Sequence, residues 1–271
     1  MRIVTSLLAA SVALALAPCA AAQAPEMSLT RFECGAPRAP ADMNVRFSDT
    51  FAYADLKLPF TFSCYLIRHG NDYMVWDTGF APDSGPTAPK VPLVDQLAKS
   101  GVKPEQVKIV GISHYHGDHT GQAQFFPSAT LMIGKGDWEG LTAAKPPEGV
   151  NPAPLKHWVG GAGKVEPVGN DKDIFGDGSV IMIYTPGHTP GHHSLIVKLP
   201  RTGAVILSGD TAHFRENYET GGVPSFNYDR AQTLASLDRI KKLVGSLKAT
   251  YIIQHDPRDV SKLPVAPESA K

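Results

Sequence analysis

Four metal-capable side chains lie within six residues of this chain, immediately after an apolar run. His114, His116, Asp118 and His119 follow Val107–Ile112, whose composition predicts a buried strand. Imidazole nitrogens and carboxylate oxygens are the donors that Zn²⁺ and similar cations select in proteins. Along an extended backbone His114 and His116 can bind one ion, whereas the adjacent Asp118 and His119 diverge and suit a second ion. The segment therefore predicts a strand followed by a loop that contributes to two metal sites.

Three further strand-like runs are each followed by a side chain that can bind a metal. These are the runs at 180–183, 204–207 and 251–253, which precede His188, Asp210 and His255. In α/β proteins ligands gather at strand ends, because the sheet fixes the bases of the loops while the loops themselves vary. A chance histidine-rich loop would not be matched by three other loops. The pattern therefore favours a complete two-metal centre over an adventitious site.

The full pattern resembles the metallo-β-lactamase superfamily and, within it, the N-acyl-homoserine lactone lactonases. Besides the residues above, the resemblance rests on the segments Cys64–Gly70, Val75–Gly79, Pro186–Ser194 and Gly209–Asp210. It covers nearly the whole chain after its first twenty-odd residues. The fold that it implies is α/β (α+β), in the form of a four-layer αβ/βα sandwich.

The resemblance also implies a ligand set for two Zn²⁺ or other divalent transition metals per chain. Position by position, the first metal would be bound by His114, His116 and His188, the second by Asp118, His119 and His255, and both by a bridging Asp210. Asp77 would correspond to an aspartate that orients a ligand histidine, although it could equally cap the turn that it forms with Thr78 and Gly79. We expect His192 and His193 to be structural.

The implied reaction is hydrolysis of a lactone or ester by water that the two cations activate. The candidate catalytic residues are Asp118, Asp210 and His213. Asp210 would orient the attacking water or accept its proton. His213 stands three residues after Asp210, where the lactonases have a tyrosine, so it would either donate to the substrate or be structural. Ser-His-Asp and Cys-His arrangements are missing from these motifs, which argues against a covalent intermediate.

Ring opening of N-acyl-homoserine lactones, which is quorum quenching, is therefore the expected function. Hydrolysis of β-lactam antibiotics, or of another lactone or ester, is the alternative within the same fold. Asp210 favours the lactonase, because zinc β-lactamases lack a bridging aspartate at this point. A non-enzymatic zinc-binding protein is a third interpretation, and the presence of every ligand argues against it.

The charge balance restricts the class of partner. The 271 residues include 26 Lys plus Arg and 26 Asp plus Glu, so the net charge is near zero. No basic stretch predicts binding to nucleic acid or to an anionic membrane surface. We therefore expect a small-molecule lactone or ester substrate that is not strongly charged. The sequence is compatible with a homodimer and does not decide the oligomeric state.

The first residues have the pattern of a cleavable signal peptide. Arg2 precedes the apolar run Ile3–Ala17, and Ala20–Ala22 supply small residues for cleavage. We expect a signal peptide over residues 1–22 and one catalytic domain over residues 23–271, exported to the periplasm or secreted. The apolar run is too short for a membrane anchor, and Pro18 before Cys19 departs from a lipoprotein processing site.

Removal of the signal peptide would leave Cys34 and Cys64 as the only cysteines. In an oxidising compartment such a pair can form a disulfide if the Cα atoms lie within about 7 Å. Two buried free thiols are the alternative, and the sequence leaves both open.

Local patterns predict the main elements of secondary structure. Phe60–Arg68 and Tyr73–Asp77 read as paired strands, and an apolar stripe predicts a helix over Tyr228–Leu247 with Asn227 as its N-cap. The segment Thr142–Gly163 is rich in Pro, Gly and Ala and is expected to be a loop.

Overall fold

The computed structural model describes residues 25–147 and 149–271, so the predicted signal peptide over residues 1–22 lies outside the described residues. In these ranges the strands are β1 Met27–Glu33, β2 Ala41–Asp42, β3 Lys57–Leu58, β4 Ser63–His69, β5 Asp72–Trp76, β6 Val107–Ile112, β7 Thr130–Gly134, β8 Val165–Val168, β9 Lys172–Asp173, β10 Val180–Tyr184, β11 His193–Leu199, β12 Gly203–Leu207 and β13 Thr250–Ile252. The α-helices are α1 Asn44–Phe47, α2 Leu93–Lys99, α3 Gly117–Thr120, α4 Lys135–Thr142, α5 Lys156–Val159, α6 Arg215–Thr220, α7 Arg230–Leu247 and α8 Pro257–Val260. Short 3-10 helices occupy Gly85–Thr87, Pro104–Gln106, Ala123–Phe125 and Ala153–Leu155.

Two mixed sheets carry the fold. The first has the strand order β1-β4-β5-β6-β7-β8, and the second has the order β13-β12-β11-β10-β9. In the first sheet β1, β4 and β5 pair antiparallel, whereas β5 to β8 run parallel. In the second sheet β12 and β13 are parallel and the other pairs are antiparallel.

Alternation of side chains along each strand explains why the sheets pack face to face. On β4, Tyr65 and Ile67 point into a core that they share with Leu195 and Leu207 of the second sheet. Leu66, between them, points to the outer face of the first sheet. Because successive strand residues point to opposite faces, each sheet has an inner and an outer apolar surface to bury.

Helices cover both outer surfaces. Leu93 and Leu97 of α2 pack on the outer face of the first sheet, and Leu237 and Ile240 of α7 pack on the outer face of the second. The order of layers is helix, sheet, sheet, helix, which confirms the predicted four-layer sandwich. None of the helices in the described ranges is long and apolar enough to cross a membrane.

The long helix begins later than predicted. It starts at Arg230, and its N-cap is Asp229, whose Oδ1 accepts a hydrogen bond from the backbone N–H of Gln232 at 2.9 Å. Asn227 lies outside the first turn, so its prediction as the cap was wrong. Its Oδ1 instead lies 2.9 Å from Nδ1 of His188, which makes it a support for a predicted ligand.

The segment Thr142–Gly163 is not a continuous loop. It contains helical turns at Ala153–Leu155 and Lys156–Val159. Leu155 and Trp158 are buried against the outer face of the first sheet. Burial of these two side chains favours local helical structure, and the predicted loop was wrong at this point.

Cys34 and Cys64 form a disulfide, with their Cα atoms 5.7 Å apart. Phe32 pairs with Cys64 across β1 and β4, so the bond joins the end of β1 to its neighbouring strand. Both cysteines are fully buried. Of the two alternatives that the sequence left open, the structure has the disulfide.

Candidate metal centre

The seven predicted ligand residues lie together at one edge of the packed sheets and form two groups. One group includes Asp210, and the other lies beside it. They follow the ends of β6, β10, β12 and β13, as the sequence pattern predicted. The residues are His114, His116, Asp118, His119, His188, Asp210 and His255. Strands from both sheets therefore supply the centre, and the rigid core between them fixes its geometry.

In the first group, three imidazole nitrogens face one another. Nε2 of His114 lies 2.9 Å from Nδ1 of His116 and 3.1 Å from Nε2 of His188, and the latter two atoms are 3.0 Å apart. Ligand nitrogens of a tetrahedral Zn²⁺ with bonds of about 2.05 Å would be about 3.3 Å apart. The three donors fit a single cation.

In the second group, Asp118 lies beside two buried histidines. Its Oδ2 is 3.7 Å from Nε2 of His119 and 3.7 Å from Nε2 of His255. The carboxylate of Asp118 is 21% exposed, so this group opens toward solvent. One carboxylate and two imidazoles also form a donor set that suits a divalent transition metal.

Asp210 lies between the two groups. Its Oδ1 is 3.0 Å from Nε2 of His255 and 3.3 Å from Nε2 of His119, whereas its Oδ2 is 3.3 Å from Nε2 of His188. Each oxygen thus faces one group, which is the geometry of a bridging carboxylate. Among the described residues, Nε2 of His119 and Oδ1 of Asp210 are buried without a hydrogen-bond partner. Buried polar atoms are normally paired, so these orphaned atoms fit a pair of cations.

Burial and the carboxylates shift the pKa values of these groups in opposite directions. Burial lowers the pKa of His114 and of His188, which keeps their nitrogens unprotonated and available as ligands. Burial also opposes protonation of His119 and His255, but the Asp210 carboxylate outweighs it and the pKa of each is raised. Burial alone would raise the pKa of Asp210, but the surrounding imidazoles, His255 first, hold it well below its usual range.

Hydrogen bonds also fix the imidazoles of His119 and His255 on the side away from the other donor atoms. Asp77 accepts hydrogen bonds from the backbone N–H of Ser113 at 2.7 Å and from its hydroxyl at 2.9 Å, and its Oδ2 lies 2.9 Å from Nδ1 of His119. Nδ1 of His255 donates to the carbonyl of Thr61 at 2.9 Å. Such partners set the tautomer and orientation of metal-binding imidazoles. Of the two roles considered for Asp77, the orienting one matches the contacts.

His192 and His193 lie outside both groups, as expected. Nε2 of His192 accepts the backbone N–H of Asp210 at 2.8 Å. Nδ1 of His193 lies 2.7 Å from the carbonyl of Gly191. Both histidines are buried, and their contacts hold the backbone of the metal-binding loops.

Asp137 is a supporting residue that no sequence pattern indicated. Its buried carboxylate accepts hydrogen bonds from the N–H of Tyr115 at 3.1 Å, the hydroxyl of Thr189 at 2.8 Å and the N–H of Gly191 at 2.7 Å. Burial raises the pKa of Asp137 to about 7, against the effect of these donors. Because Thr189 directly follows His188, Asp137 links the loop after β6 to the loop after β10.

This link depends on two glycines. A Cβ atom on Gly134, the last residue of β7 and the N-cap of α4, would overlap the carbonyl oxygen of Gly191. A Cβ atom on Gly191 would overlap the backbone nitrogen of Asp137. The two backbones approach this closely only because neither position carries a side chain.

A cavity of about 600 Å³ opens onto both groups. Its wall includes five aromatic rings, which belong to Phe47, Phe60, Phe62, Phe80 and Phe226. The cavity reaches His116, Asp118, Asp210 and His255 at its inner end. An apolar cavity that ends in a few polar groups is typical of a small-molecule site.

His213 lies where the cavity meets the two groups. Its Nε2 is 3.1 Å from Oδ2 of Asp210, and its ring stacks on that of His255 with centroids 5.4 Å apart. Burial lowers the pKa of His213, although the nearby Asp210 carboxylate acts to raise it. The lowered pKa favours the neutral imidazole. With Asp210 and His255 it also forms a third set of donors close enough to share an ion.

Comparison with known proteins agrees with this architecture. Residues 60–255 match the profile of the metallo-beta-lactamase superfamily. The N-acyl homoserine lactonase AttM of Rhizobium radiobacter is 31% identical in an alignment of 191 residues that covers 65% of this chain and 68% of that protein. An N-acyl homoserine lactonase of Bacillus cereus is 30% identical in an alignment of 227 residues that covers 76% of this chain and 85% of that protein.

The fold agrees as well. The crystal structure of a quorum-quenching N-acyl homoserine lactone lactonase superposes with a TM-score of 0.76 at 24% identity, covering 91% of this chain and 99% of that one. The match over most of the chain, together with the donor groups at the strand ends, leads to one conclusion: this chain belongs to the metallo-β-lactamase superfamily.

Proposed function

We propose that this protein is a two-metal lactonase that opens the ring of N-acyl homoserine lactones, and so a quorum-quenching enzyme. The observation that carries the proposal is the carboxylate of Asp210, which faces one donor group with each oxygen at the inner end of an aromatic cavity. The relatives that match most of the chain are N-acyl homoserine lactonases, which supports the choice of substrate.

The residues in the centre fit a pair of zinc ions or similar cations. His114, His116 and His188 would hold the first and Asp118, His119 and His255 the second, with Asp210 shared. Bound as a pair, such cations lower the pKa of water and polarise a carbonyl oxygen. Asp210 sets the spacing of the two groups and is placed to orient the attacking water and to accept its proton.

His213 and Asp118 have complementary roles in the proposed reaction. His213 lines the cavity, and its Nε2, which faces Oδ2 of Asp210 at 3.1 Å, would donate a hydrogen bond to the substrate carbonyl or to the leaving oxygen once a cation engages that carboxylate. Asp118 also lines the cavity and is partly exposed, so its carboxylate can exchange the transferred proton with solvent. The aromatic wall excludes water from the acyl side of the substrate and binds its apolar chain.

Export is a separate part of the proposal. The signal-peptide pattern of residues 1–22 and the disulfide between Cys34 and Cys64 both support a periplasmic or secreted enzyme, because structural disulfides persist in oxidising compartments. Fractionation of cells that produce the full-length chain, with N-terminal sequencing of the mature protein, tests this part. Protein that stays in the cytoplasm and keeps residues 1–22 would contradict export.

Metal analysis and a substrate panel test the catalytic proposal. We expect two divalent metals per chain, loss of hydrolysis on chelation, and turnover of acyl homoserine lactones well above that of nitrocefin or a phosphodiester. Asp210→Ala should lower turnover by several orders of magnitude, while Asp238→Ala, at an exposed carboxylate on α7, should not. Full activity with one metal or none would contradict the two-metal reaction, and faster turnover of nitrocefin would favour a β-lactamase.

A further inference from the structure

Two arginines stand in the cavity wall beside the aromatic rings. Cζ of Arg46 lies 4.9 Å from the ring centroid of Phe226, and Cζ of Arg38 lies 5.6 Å from the centroid of Phe62 and 5.7 Å from that of Phe80. Both line the cavity that leads to the candidate metal centre. A guanidinium that stacks on an aromatic ring is held in place while its N–H edge stays free to donate.

These two guanidinium groups differ from those of five other arginines, and the exposed Arg201, which also has no side-chain partner among the described residues, lies outside the cavity. Five arginines have a carboxylate partner, in the pairs Arg68–Glu26, Arg215–Asp259, Arg230–Asp49, Arg239–Asp171 and Arg258–Asp256. Within residues 25–147 and 149–271, the side chains of Arg38 and Arg46 make no ion pair and no hydrogen bond. Both are exposed, so a ligand in the cavity can reach their donors.

Outside the candidate metal centre, cationic side chains outnumber anionic ones in the cavity wall. Apart from Asp118 and Asp210, which belong to the candidate metal centre, the described wall contains one carboxylate, that of Asp42. Its Oδ1 already accepts the backbone N–H of Asn44 at 2.7 Å. The outer part of the wall therefore carries two guanidinium groups and one carboxylate, whereas Asp118 and Asp210 place their negative charge at the inner end of the cavity.

Both guanidinium groups lie one aromatic ring away from the centre. Phe226 contacts His188 and His213, with ring centroids 5.7 Å and 5.6 Å apart. Phe62 contacts His255, with centroids 5.2 Å apart. A substrate whose reacting carbonyl lies at the histidines would thus place its acyl arm along a phenyl ring and the end of that arm at an arginine.

We propose that Arg38 and Arg46 form an anion subsite that selects lactones whose acyl arm ends in a carboxylate. This inference rests on the proposed lactonase function and narrows its substrate class. A carboxylate is the planar acceptor that matches the donor edge of a guanidinium, and such charge-assisted hydrogen bonds are stronger than neutral ones. The aromatic rings bind the methylene groups between the amide and the carboxylate.

The test uses pairs of acyl homoserine lactones that differ only at the end of the acyl arm. In one member of each pair the acyl arm is a dicarboxylic acid attached through one of its carboxyl groups, so the arm ends in a carboxylate. In the other member that end is a primary amide. The series covers arms of about four to eight carbons. The zinc-loaded enzyme should have kcat/KM at least tenfold higher for the acid than for the amide at the best length. The preference should lie in KM and should fall as salt is raised, since salt screens exposed charges.

Variants assign the preference to the two arginines. Arg46→Gln and Arg38→Gln should each reduce the ratio of kcat/KM for acid to that for amide, and the double variant should bring this ratio close to one. Arg68→Gln removes an arginine that pairs with Glu26 outside the cavity and should leave the ratio as it is.

The outcomes separate this inference from the proposed function. Hydrolysis of the amide and acid forms at equal efficiency would overturn the anion subsite and leave the lactonase standing, and an unchanged ratio in the double variant would do the same. If no lactone were hydrolysed, the lactonase proposal would fail instead. Calorimetric binding of the same intact acid and amide pair would then test the subsite directly, with equal affinity counting against it.

Discussion

The imidazole of His213 touches both the carboxylate of Asp210 and the cavity, so in the proposed reaction it would connect the substrate with the candidate metal centre. If it donates to developing negative charge on the substrate, its loss should remove on the order of 3 kcal/mol of transition-state stabilisation. We expect His213→Ala to lower kcat about a hundredfold while the metal content stays at two per chain. Steady-state kinetics and metal analysis on the same preparation measure both quantities.

A second variant tests whether His213 acts as a hydrogen-bond donor to the substrate or only as a structural residue. His213→Tyr places a hydroxyl donor where the lactonases have one and should restore part of the rate that His213→Ala loses. Normal turnover of His213→Ala would show that the histidine only packs against Phe47 and His255. Loss of a metal from that variant would assign it instead to the third donor set with Asp210 and His255.

Sequence patterns reveal the residues of this site unequally. His114 and Asp210 could be predicted because few side chains bind metals and because both follow an apolar run that ends in a loop. Asp137 could not, since a single aspartate at the start of a helix looks like an ordinary helix residue until distant loops supply its three donors. Arg38 and Arg46 lie in a segment without regular pattern, and only tertiary packing places them against aromatic rings.

At the scale of elements, α4 positions the metal-binding loops through Asp137. Asp137→Asn keeps the shape of the side chain but turns an amide toward one of three donors, which leaves that donor unpaired. We expect metal affinity to fall by about 10- to 100-fold, with kcat largely restored at saturating zinc. Competition with a chromogenic chelator measures the affinity.

Thr189→Val is the matched control, because it removes one hydroxyl donor and leaves both backbone donors with the Asp137 carboxylate. Its effect on metal affinity should be smaller than that of Asp137→Asn. Equal affinity of Asp137→Asn and the unaltered protein would show that the loops hold their geometry without this link.

A second connection joins α6, which follows His213, to α8, which follows His255. Arg258 donates to both carboxylate oxygens of Glu216 at 3.0 and 2.8 Å and thereby lowers the pKa of Glu216 from its usual 4.5. A lowered folded-state pKa stabilises the protein above the unfolded value and ceases to do so as the pH falls through the folded value. The difference in melting temperature between the unaltered protein and Glu216→Gln should therefore be largest near neutral pH and vanish in acid.

Paired melts from about pH 7 down to about pH 3 follow this difference, and metal loss in acid affects both proteins alike. Glu219→Gln, at an exposed position of the same helix, changes the charge equally and should show no such trend. A difference that stays constant across the pH range would mean that Glu216 stabilises the protein by packing alone.

At the scale of the whole molecule, the disulfide closes a loop across the sheet edge. Cys34 and Cys64 are 30 residues apart, and a crosslink of that span stabilises a fold by about 3.7 kcal/mol, chiefly through the unfolded chain. Cys34→Ala with Cys64→Ala should lower the free energy of unfolding by about this amount, with little change in kcat. Denaturant titration measures the loss, and alkylation with mass spectrometry shows whether the native thiols are blocked.

Single alanine variants at Cys34 and Cys64 control for the cavities that the lost sulfur atoms leave. They should already be as unstable as the double variant, because either one removes the whole crosslink. Stepwise, additive losses would point to packing of two independent thiols instead.

The architecture as a whole was more predictable than its boundaries. Alternating strands such as Phe60–Arg68 and the amphipathic helix α7 are sufficient to indicate sheets that need a covered face, and the resemblance to the superfamily implied how the layers stack. Asn227 was wrongly predicted as a cap because its side chain bonds to His188 and Thr233, partners that are distant or already inside the helix. Leu155 and Trp158 form helical turns because the outer core buries them, which local composition does not reveal.

The contact between Gly134 and Gly191 has a consequence for how this protein tolerates change. In a library of random substitutions selected for activity, both positions should be depleted nearly as strongly as His188, although neither carries a functional group. Since every side chain larger than hydrogen overlaps backbone atoms there, compensation would need a shift of α4 and not a single second substitution. Among homologous sequences we therefore expect both glycines to be invariant because two backbone segments contact each other there. Such conservation could easily be mistaken for a catalytic role.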